Sequence, residues 1–272
     1  MESVHNELEF ARPPVDEVVL SVLFKSLDML LAPHLGTIWQ EFKKEGFLEV
    51  VEQPPVMPTI ENLSRSNQDP ELQLSNVPNF SRIWFIHEQQ YHIIQVQRDR
   101  FTFNWRKIEP DQKYPGFTAI FERFAKLYSR FQEIVRSMEV GEVVPLQYEL
   151  TYIDQLLRGD GWNTLNDVGE VYKLFNKSEP SSSFWSGAES VILRTSFPIE
   201  DLNGRLHLAV SHRVRVSDQK QTLQTDFTMR GFPQAAEDNV MITWFTSAHG
   251  CIRGKFTGLF TEDIQTRTWG RK

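Results

Sequence analysis

The chain has 272 residues, of which 40% are hydrophobic and 24% charged, and its 20 phenylalanines and seven tryptophans exclude a disordered chain. The formal net charge of -7 excludes a general electrostatic affinity for DNA or for anionic membranes. A single cysteine, Cys251, excludes an internal disulfide and a cysteine-based metal cluster.

The first residues and the lengths of the apolar runs favour a cytoplasmic protein. The opening MESVHNELEF lacks the basic and then apolar pattern of a signal peptide. No apolar run approaches the ~18 residues of a membrane-spanning helix. A lone cysteine fits a reducing compartment, so we expect no membrane association.

The first elements follow from hydrophobic periodicity and from the positions of proline and glycine. Residues 17–24 predict a buried strand, and residues 32–46 predict a helix that glycine ends. Residues 47–55 predict a short strand. Residues 54–80 hold five prolines and many polar residues, so we expect a long surface loop there.

A hairpin is predicted next, with one strand at 81–97 and a second at 100–107. In the second strand the aromatic residues share one face and the polar residues share the other: Phe101, Phe103 and Trp105 against Thr102, Asn104 and Arg106. This strict alternation predicts a strand with one face in the core.

The rest of the chain predicts two helices and more strands. Residues 114–138 carry a broad apolar stripe that recurs every seven positions and predict a helix lying on a sheet or on other helices. Residues 143–156 predict a strand, and residues 236–260 predict a C-terminal helix. Between these two, a meander of three strands is predicted at 189–199, 204–216 and 221–232.

This order of elements predicts an α+β fold: antiparallel sheet or sheets with long amphipathic helices packed on one face, in two loosely similar halves. We divide the chain into an N-terminal α+β half at 1–157, a linker or insertion at 158–188, and a C-terminal meander plus helix at 189–272.

Several stretches together resemble a sporadically distributed family of uncharacterised bacterial and archaeal proteins of about this size. The stretches are RPPVDEVVLSVLF, HLGTIWQEF, EQPP, IIQVQRDRFTFNWRK, YPGF, YELTYIDQL and AHGCIRGKFTGLFTEDIQTRTWGR. The family's patchy occurrence is similar to that of defence-type or toxin–antitoxin-type genes, which implies a component of a multi-protein system. Its members commonly have an acidic residue after the helical histidine, where this chain has Gly250.

Motifs with a local signature are absent. No nucleotide-binding glycine loop, serine-hydrolase elbow or zinc-protease motif occurs, so the sequence assigns no catalytic residue, no cofactor and no metal. His87 and His92 are five apart in the predicted strand 81–97. That odd spacing predicts opposite faces and makes the two histidines poor joint metal ligands.

Asn104 and Arg106 are the strongest binding candidates, together with Gln95 and Gln97 on the partner strand. An arginine with amide neighbours suits recognition of phosphate, carboxylate or peptide. The alternative is a structural network that locks the hairpin to a neighbouring helix.

His249 flanks the apolar stripe of the predicted C-terminal helix. One hypothesis is a half-buried structural histidine, and the other is a functional group that titrates near neutral pH. An enzyme with a dispersed site would need this histidine to converge with Asn104, Arg106, Glu149 and Tyr152 in one cleft.

The meander predicts a second polar face. Its outward residues are Arg194, Ser196, His207, Ser211, Arg213 and Arg215. Such a face could be a basic patch for nucleic acid, or a solvated face whose charge Asp218 and Asp226 balance.

Three glycines, Gly250, Gly254 and Gly258, lie on one face of the predicted C-terminal helix, and each costs about 0.8–1 kcal/mol relative to alanine. Close approach of another backbone would offset that cost, either the 117–138 helix or the same helix of a second copy. The alternative is a helix that ends at the first of these glycines.

Three functions therefore remain open. The favoured one is a non-enzymatic binding component of a bacterial multi-protein system, whose protein partner could be a second copy in a homo-oligomer. The second is a nucleic-acid-associated protein that uses Arg106, Arg194, Arg213 and Arg215. The third is the enzyme with a dispersed site around Asn104, Arg106 and His249.

Overall fold

The computed structural model describes residues 10–64, 81–175, 187–216, 218–233 and 240–272. Strands in these residues are β1 Val15–Phe24, β2 Phe47–Gln53, β3 Arg82–His87, β4 His92–Gln97, β5 Arg100–Arg106, β6 Pro145–Leu157, β7 Ile192–Ile199, β8 Gly204–Val214 and β9 Gln221–Gly231. The α-helices are α1 Ala32–Lys43, α2 Phe117–Ser137, the one-turn α3 Val168–Val171, and α4 Val240–Leu259. Short 3-10 turns lie at Leu165–Asp167, Lys173–Phe175 and Glu200–Leu202, and a π-helical turn lies at Ile264–Thr268.

The strands form one antiparallel sheet in the order β2-β3-β4-β5-β1-β6-β9-β8-β7. The first strand of the chain lies inside the sheet, where Val18 is opposite Trp105 of β5 on one side and Tyr152 of β6 on the other. Strand β6 also pairs with β9 from Tyr148 to Leu157. The predicted α+β class with an antiparallel sheet is confirmed. Two similar halves are not confirmed, because one continuous sheet contains strands from both.

Residues 158–175 of the predicted linker pack into the protein. Trp162 and Tyr172 are at most 1% exposed. The Tyr172 hydroxyl lies 2.9 Å from Oγ1 of Thr225 in β9, and the Trp162 indole donates to the carbonyl of Leu156 at 3.0 Å. The division of the chain at 158–188 itself stays a prediction.

One face of the sheet forms the core. The alternation in β5 places Phe101, Phe103 and Trp105 at 0–2% exposure, as the sequence predicts. The ring of Phe101 lies 5.0 Å from that of Phe131 in α2 and 6.3 Å from that of Phe42 in α1, measured between centroids. Burying a side chain of this size contributes about 1.5–3 kcal/mol. Helices α1 and α2 therefore cover this apolar face, and α4 covers it over β6 and β9.

The predicted strand 81–97 is two strands, β3 and β4, joined by a turn at 88–91 in which Gln90 has a φ of 64°. The turn brings His87 and His92 to the same face, with ring centroids 6.0 Å apart. The prediction that they face opposite ways is therefore wrong. Burial, with the charges of Arg123 and His87, lowers the pKa of His92 to about 4.

Helix α4 is continuous from Val240 to Leu259, so the hypothesis that it ends at Gly250 is wrong. A Cβ built at Gly250, Gly254 or Gly258 would meet no described atom within 4 Å. Packing of the glycine row against α2 is therefore not found in the described part of the chain, and the row faces outward.

Replacing Gly254 with alanine should raise the free energy of unfolding by about 1 kcal/mol, because the methyl group meets no neighbour and the helix gains propensity. Gly231→Ala is the contrasting control, since its Cβ would lie 2.7 Å from the carbonyl oxygen of Leu202. Urea unfolding measures both. A loss of stability in the first variant would mean that the glycine face is packed against a second molecule.

Candidate binding face

The second face of the sheet is polar, because the same alternation that buries aromatic residues on one side turns hydrophilic residues to the other. Across the centre of the sheet, Thr102 is opposite Ser21, Ser21 is opposite Glu149, and Glu149 is opposite Arg230. The Ser21 and Thr102 hydroxyl oxygens are 2.8 Å apart. This surface contains most of the residues that the sequence singles out, and we call it the polar face.

Gln95 and Asn104 lie on the polar face but are only 8% and 4% exposed. The Gln95 amide oxygen accepts hydrogen bonds from Arg82 and from the Trp84 indole, both at 3.0 Å. Its amide nitrogen donates to Asn104 at 2.7 Å, and Asn104 donates to Glu17 at 2.5 Å. The chain of amides is thus satisfied internally, which favours the structural network over an open recognition site.

Gln97 and Arg106, on the same face, form hydrogen bonds with backbone groups of nearby segments. The amide oxygen of Gln97 accepts from the N–H of Val56 at 2.9 Å, and its amide nitrogen donates to the carbonyl of Val56 at 2.8 Å. Gln97 is 1% exposed. Nε of Arg106 donates to the carbonyl of Gln90 at 2.8 Å and so holds the β3–β4 turn.

Residues 54–64, which we call the strap, cross the polar face. They contain neither helix nor strand, as the predicted loop requires, although Glu61 is buried rather than at the surface. The rest of the predicted loop, 65–80, lies outside the described residues. The strap first contacts β4, where Val56 binds Gln97. It then contacts β6, where Gln147 accepts from the Glu61 amide at 2.8 Å and donates to the Thr59 carbonyl at 2.9 Å. The Glu61 side chain is 0% exposed. Hydrogen bonds to buried amides thus fix the path of the strap over several strands.

Glu61 ends this path in a buried cluster of charges. Its carboxylate binds Arg205 at 3.0 Å, His207 at 2.7 Å and Arg230 at 3.5 Å. Arg230 also donates to Glu149 at 2.5 Å. Burial alone would raise the pKa of Glu61, yet the hydrogen bond from His207 and the charges of Arg230 and Arg205 lower it overall. Glu61 and Arg230 escape sequence analysis because no local motif marks them.

A groove of about 310 Å3 remains open beside this cluster, on β7, β8 and β9. Arg194, Ser196 and His207 line it, together with Asp226 and Thr228. Three of the outward residues predicted for the meander, Arg194, Ser196 and His207, therefore lie together in this groove. Arg194 is exposed and makes no ion pair within the described residues. Burial raises the pKa of Asp226, against a hydrogen bond from Gln224 and the charge of Arg213.

The remaining arginines of the predicted basic patch are engaged. Nε of Arg215 donates to Asp218 at 2.9 Å, and Nε of Arg213 donates to the Ser211 hydroxyl at 2.9 Å. Asp218 thus balances charge as the solvated-face hypothesis expects.

Tyr152 and His249 meet on the apolar face. The Tyr152 hydroxyl lies 2.9 Å from Nδ1 of His249 and 3.2 Å from the hydroxyl of Tyr114. The imidazole stacks on Phe117, with centroids 4.3 Å apart and planes 4° apart. Burial and then the charge of Arg253 lower the pKa of His249 to about 4, so its imidazole is neutral at pH 7.

The proposed dispersed site does not assemble, because the sheet lies between its members. Tyr152 and His249 are on the apolar side, whereas Asn104 and Glu149 are on the polar side. Glu149 and Tyr152 are three residues apart in β6, and an odd separation in a strand puts side chains on opposite faces.

Comparison with known proteins finds no family model, no curated protein and no solved structure that matches the chain. Within the described ranges, no three histidine, cysteine or acidic side chains are grouped so as to hold a metal ion. Nor does any described helix combine the length and apolar character that crossing a membrane requires.

Glu61→Gln should lower the free energy of unfolding by about 3–5 kcal/mol, because it leaves buried cationic partners without their carboxylate. Glu45→Gln is the matched control, since Glu45 pairs with Arg123 and Lys126 at the surface and should cost under about 1 kcal/mol. Equal losses in urea unfolding of the two variants would contradict the anchoring role of Glu61.

The pH dependence of stability should contain a separable part from His249. Its pKa rises from about 4 in the folded state to an ordinary 6.5 on unfolding, so the unfolded chain binds the proton first as pH falls. The free energy of unfolding should therefore fall as the pH is lowered from 6.5 to 4. In His249→Phe, the slope of this free energy against pH should be shallower by the equivalent of about one proton. His92→Phe should act in the same direction. An unchanged slope in both variants would contradict buried, neutral histidines.

Proposed function

We propose that this chain is a binding protein without catalytic chemistry of its own, and that it receives an extended segment of a protein partner along strand β7. Strand β7 is the last in the sheet order, and its other edge pairs with no described strand. An edge of this kind offers backbone N–H and C=O groups to an added strand.

The single observation that carries the proposal is the groove beside that edge. Arg194 and Ser196 project from β7 itself into the groove, next to His207, Asp226 and Thr228 of the two neighbouring strands. An added strand would thus gain main-chain hydrogen bonds and a pocket for alternate side chains. Because Arg194 has no acidic partner among the described residues, we assign an acidic side chain of the partner to it.

Edge strands also carry charges and prolines that discourage pairing, and β7 has Arg194 and Pro198. The proline lies at the end of the strand, opposite Arg205, and leaves residues 192–197 able to pair. The arginine stands in a groove with hydroxyl and carboxyl groups, which supports a role in recognition.

Charge balance favours a protein over a nucleic acid as the partner. Phosphate recognition uses arginines and lysines that are free of acidic neighbours. Here Arg205 and Arg230 bind Glu61 and Arg215 binds Asp218. Of the arginines in the meander, this leaves Arg194 and Arg213 without an ion pair among the described residues. The enzyme hypothesis loses support because its residues lie on opposite sides of the sheet.

The family resemblance supplies the context of the proposal: a cytoplasmic component of a bacterial multi-protein system, of defence or toxin–antitoxin type. The partner in that system is a different protein, and a second copy of the chain is the competing occupant.

A photo-crosslinking residue at Ser196 should capture the partner in the bacterial host, whereas the same residue at Thr118, exposed on α2, should not. With the captured protein purified, Arg194→Glu should weaken its binding at least about tenfold, as expected for reversing one charge of a pair. Arg136→Glu, an exposed arginine at the end of α2, is the matched control and should bind as the wild type does.

Three results would overturn the proposal. The first is equal crosslinking from the two positions, and the second is unchanged affinity in Arg194→Glu. The third is a product of twice the mass of the chain, which would identify the second copy as the occupant.

A further inference from the structure

A second cavity, of about 700 Å3, lies at the end of the sheet where β1 begins and β5 and β6 end. Segments from five parts of the chain line it, namely those before β1, after β5 and after β6, the β8–β9 turn, and the C-terminal Thr268 and Trp269. Its volume is typical of small-molecule sites, which span about 300–1,000 Å3. It shares no lining residue with the groove at β7.

The walls of this cavity are held by backbone hydrogen bonds. The amide of Arg12 donates to the carbonyl of Trp269 at 3.0 Å, and that of Lys107 donates to the carbonyl of Asp16 at 2.7 Å. The turn after β6 contains Gly161 with a φ of 90°, and a Cβ there would collide with the Ile264 side chain. The space therefore exists before any ligand arrives, which reduces the ordering cost of binding.

The cavity contains an acceptor with no donor. Gln155 donates from Nε2 to the Asp16 carboxylate at 3.0 Å, but its Oε1 is buried and makes no hydrogen bond within the described chain. A buried acceptor left unpaired costs about 1–3 kcal/mol. A ligand hydroxyl or amino group would remove that cost.

The cavity also contains cations that form no ion pair within the described chain. Arg12 and Lys107 line it, and neither makes an ion pair in the described part of the chain. The other two cations at the cavity, Arg215 and Lys220, are occupied by Asp218, at 2.9 and 3.7 Å. Of the three acidic lining residues, Glu109 and Asp160 are exposed, so water screens their charge. The third, Asp16, is half-buried, and its charge interacts with those of Arg215 and Lys107.

We propose that this cavity binds a small organic phosphate, with the phosphate between Arg12 and Lys107 and a hydroxyl or amino donor on Gln155 and Asp16. Two cations match the double charge of a phosphate monoester, and the arginine fork matches its oxygens. The volume exceeds what phosphate alone would fill, and Pro13, Ile108 and Trp269 supply apolar contacts for the organic part.

Titration calorimetry of the full chain with ribose 5-phosphate, adenosine 5′-monophosphate and inorganic phosphate tests this. Both organic phosphates should bind more tightly than inorganic phosphate. Lys107→Gln and Arg12→Gln should weaken them about tenfold or more, since each removes a charged hydrogen bond. Lys25→Gln, an exposed lysine beyond the opposite end of β1, changes the charge equally and should leave binding intact.

Gln155→Leu tests the contact with the organic part of the ligand separately from the contact with its phosphate. It should weaken ribose 5-phosphate while leaving inorganic phosphate unchanged, because only the former reaches the amide. Circular dichroism melts check that each variant is folded. The proposal is overturned if no probe binds saturably at millimolar concentration, if Lys107→Gln binds as the wild type does, or if inorganic phosphate binds as tightly as the organic phosphates.

Discussion

Every other feature of this protein depends on the two-sided character of the central strands β1, β5 and β6. Their alternation buries phenylalanine, tyrosine and tryptophan under the helices on one side. The same alternation turns serine, threonine, asparagine and glutamate to the other side. Buried polar groups must be hydrogen-bonded, so a sheet of this width needs partners for a whole polar face. The strap with Glu61, the amide chain through Gln95 and Asn104, and the arginines of β8 and β9 meet that requirement.

This requirement explains which surfaces remain for binding. Where the strap and the amide chain satisfy the polar face, its residues are buried and their donors are used. Beyond Glu61, toward β7, the strap supplies no partner in the described chain, and Arg194 is exposed and makes no ion pair there. Near the end of the strands, the buried Oε1 of Gln155 makes no hydrogen bond within the described chain, and Lys107 lines the same cavity. Both proposed sites therefore lie where polar side chains of the sheet no longer find hydrogen-bond partners within the described chain.

Sequence alone could predict what depends on near neighbours. The alternation at Phe101, Phe103 and Trp105 predicts a strand with these residues in the core, and they are buried there. The burial of Thr102 and Asn104 on the other face could not be predicted, because it depends on distant parts of the chain. The turn at 88–91 could not be predicted because Glu-Gln-Gln-Tyr has none of the glycine, proline or asparagine that usually marks a hairpin. Without that turn, the sequence predicts His87 and His92 on opposite faces. The order of the strands could not be predicted, since β1 pairs with two strands far along the chain. The role of Glu61 could not be predicted for the same reason, because the partners of its carboxylate are 144 to 169 residues away.

The most direct test of the account is native-state hydrogen exchange along the whole chain. If β1, β5, β6 and β9 form one sheet with a shared core, their amides should exchange only through global unfolding, with one common free energy. Strand β9 should then be protected as strongly as β1, although it lies in the C-terminal part. Exchange of β8 and β9 at a distinctly lower free energy, while β1 and β5 stay protected, would contradict the single sheet.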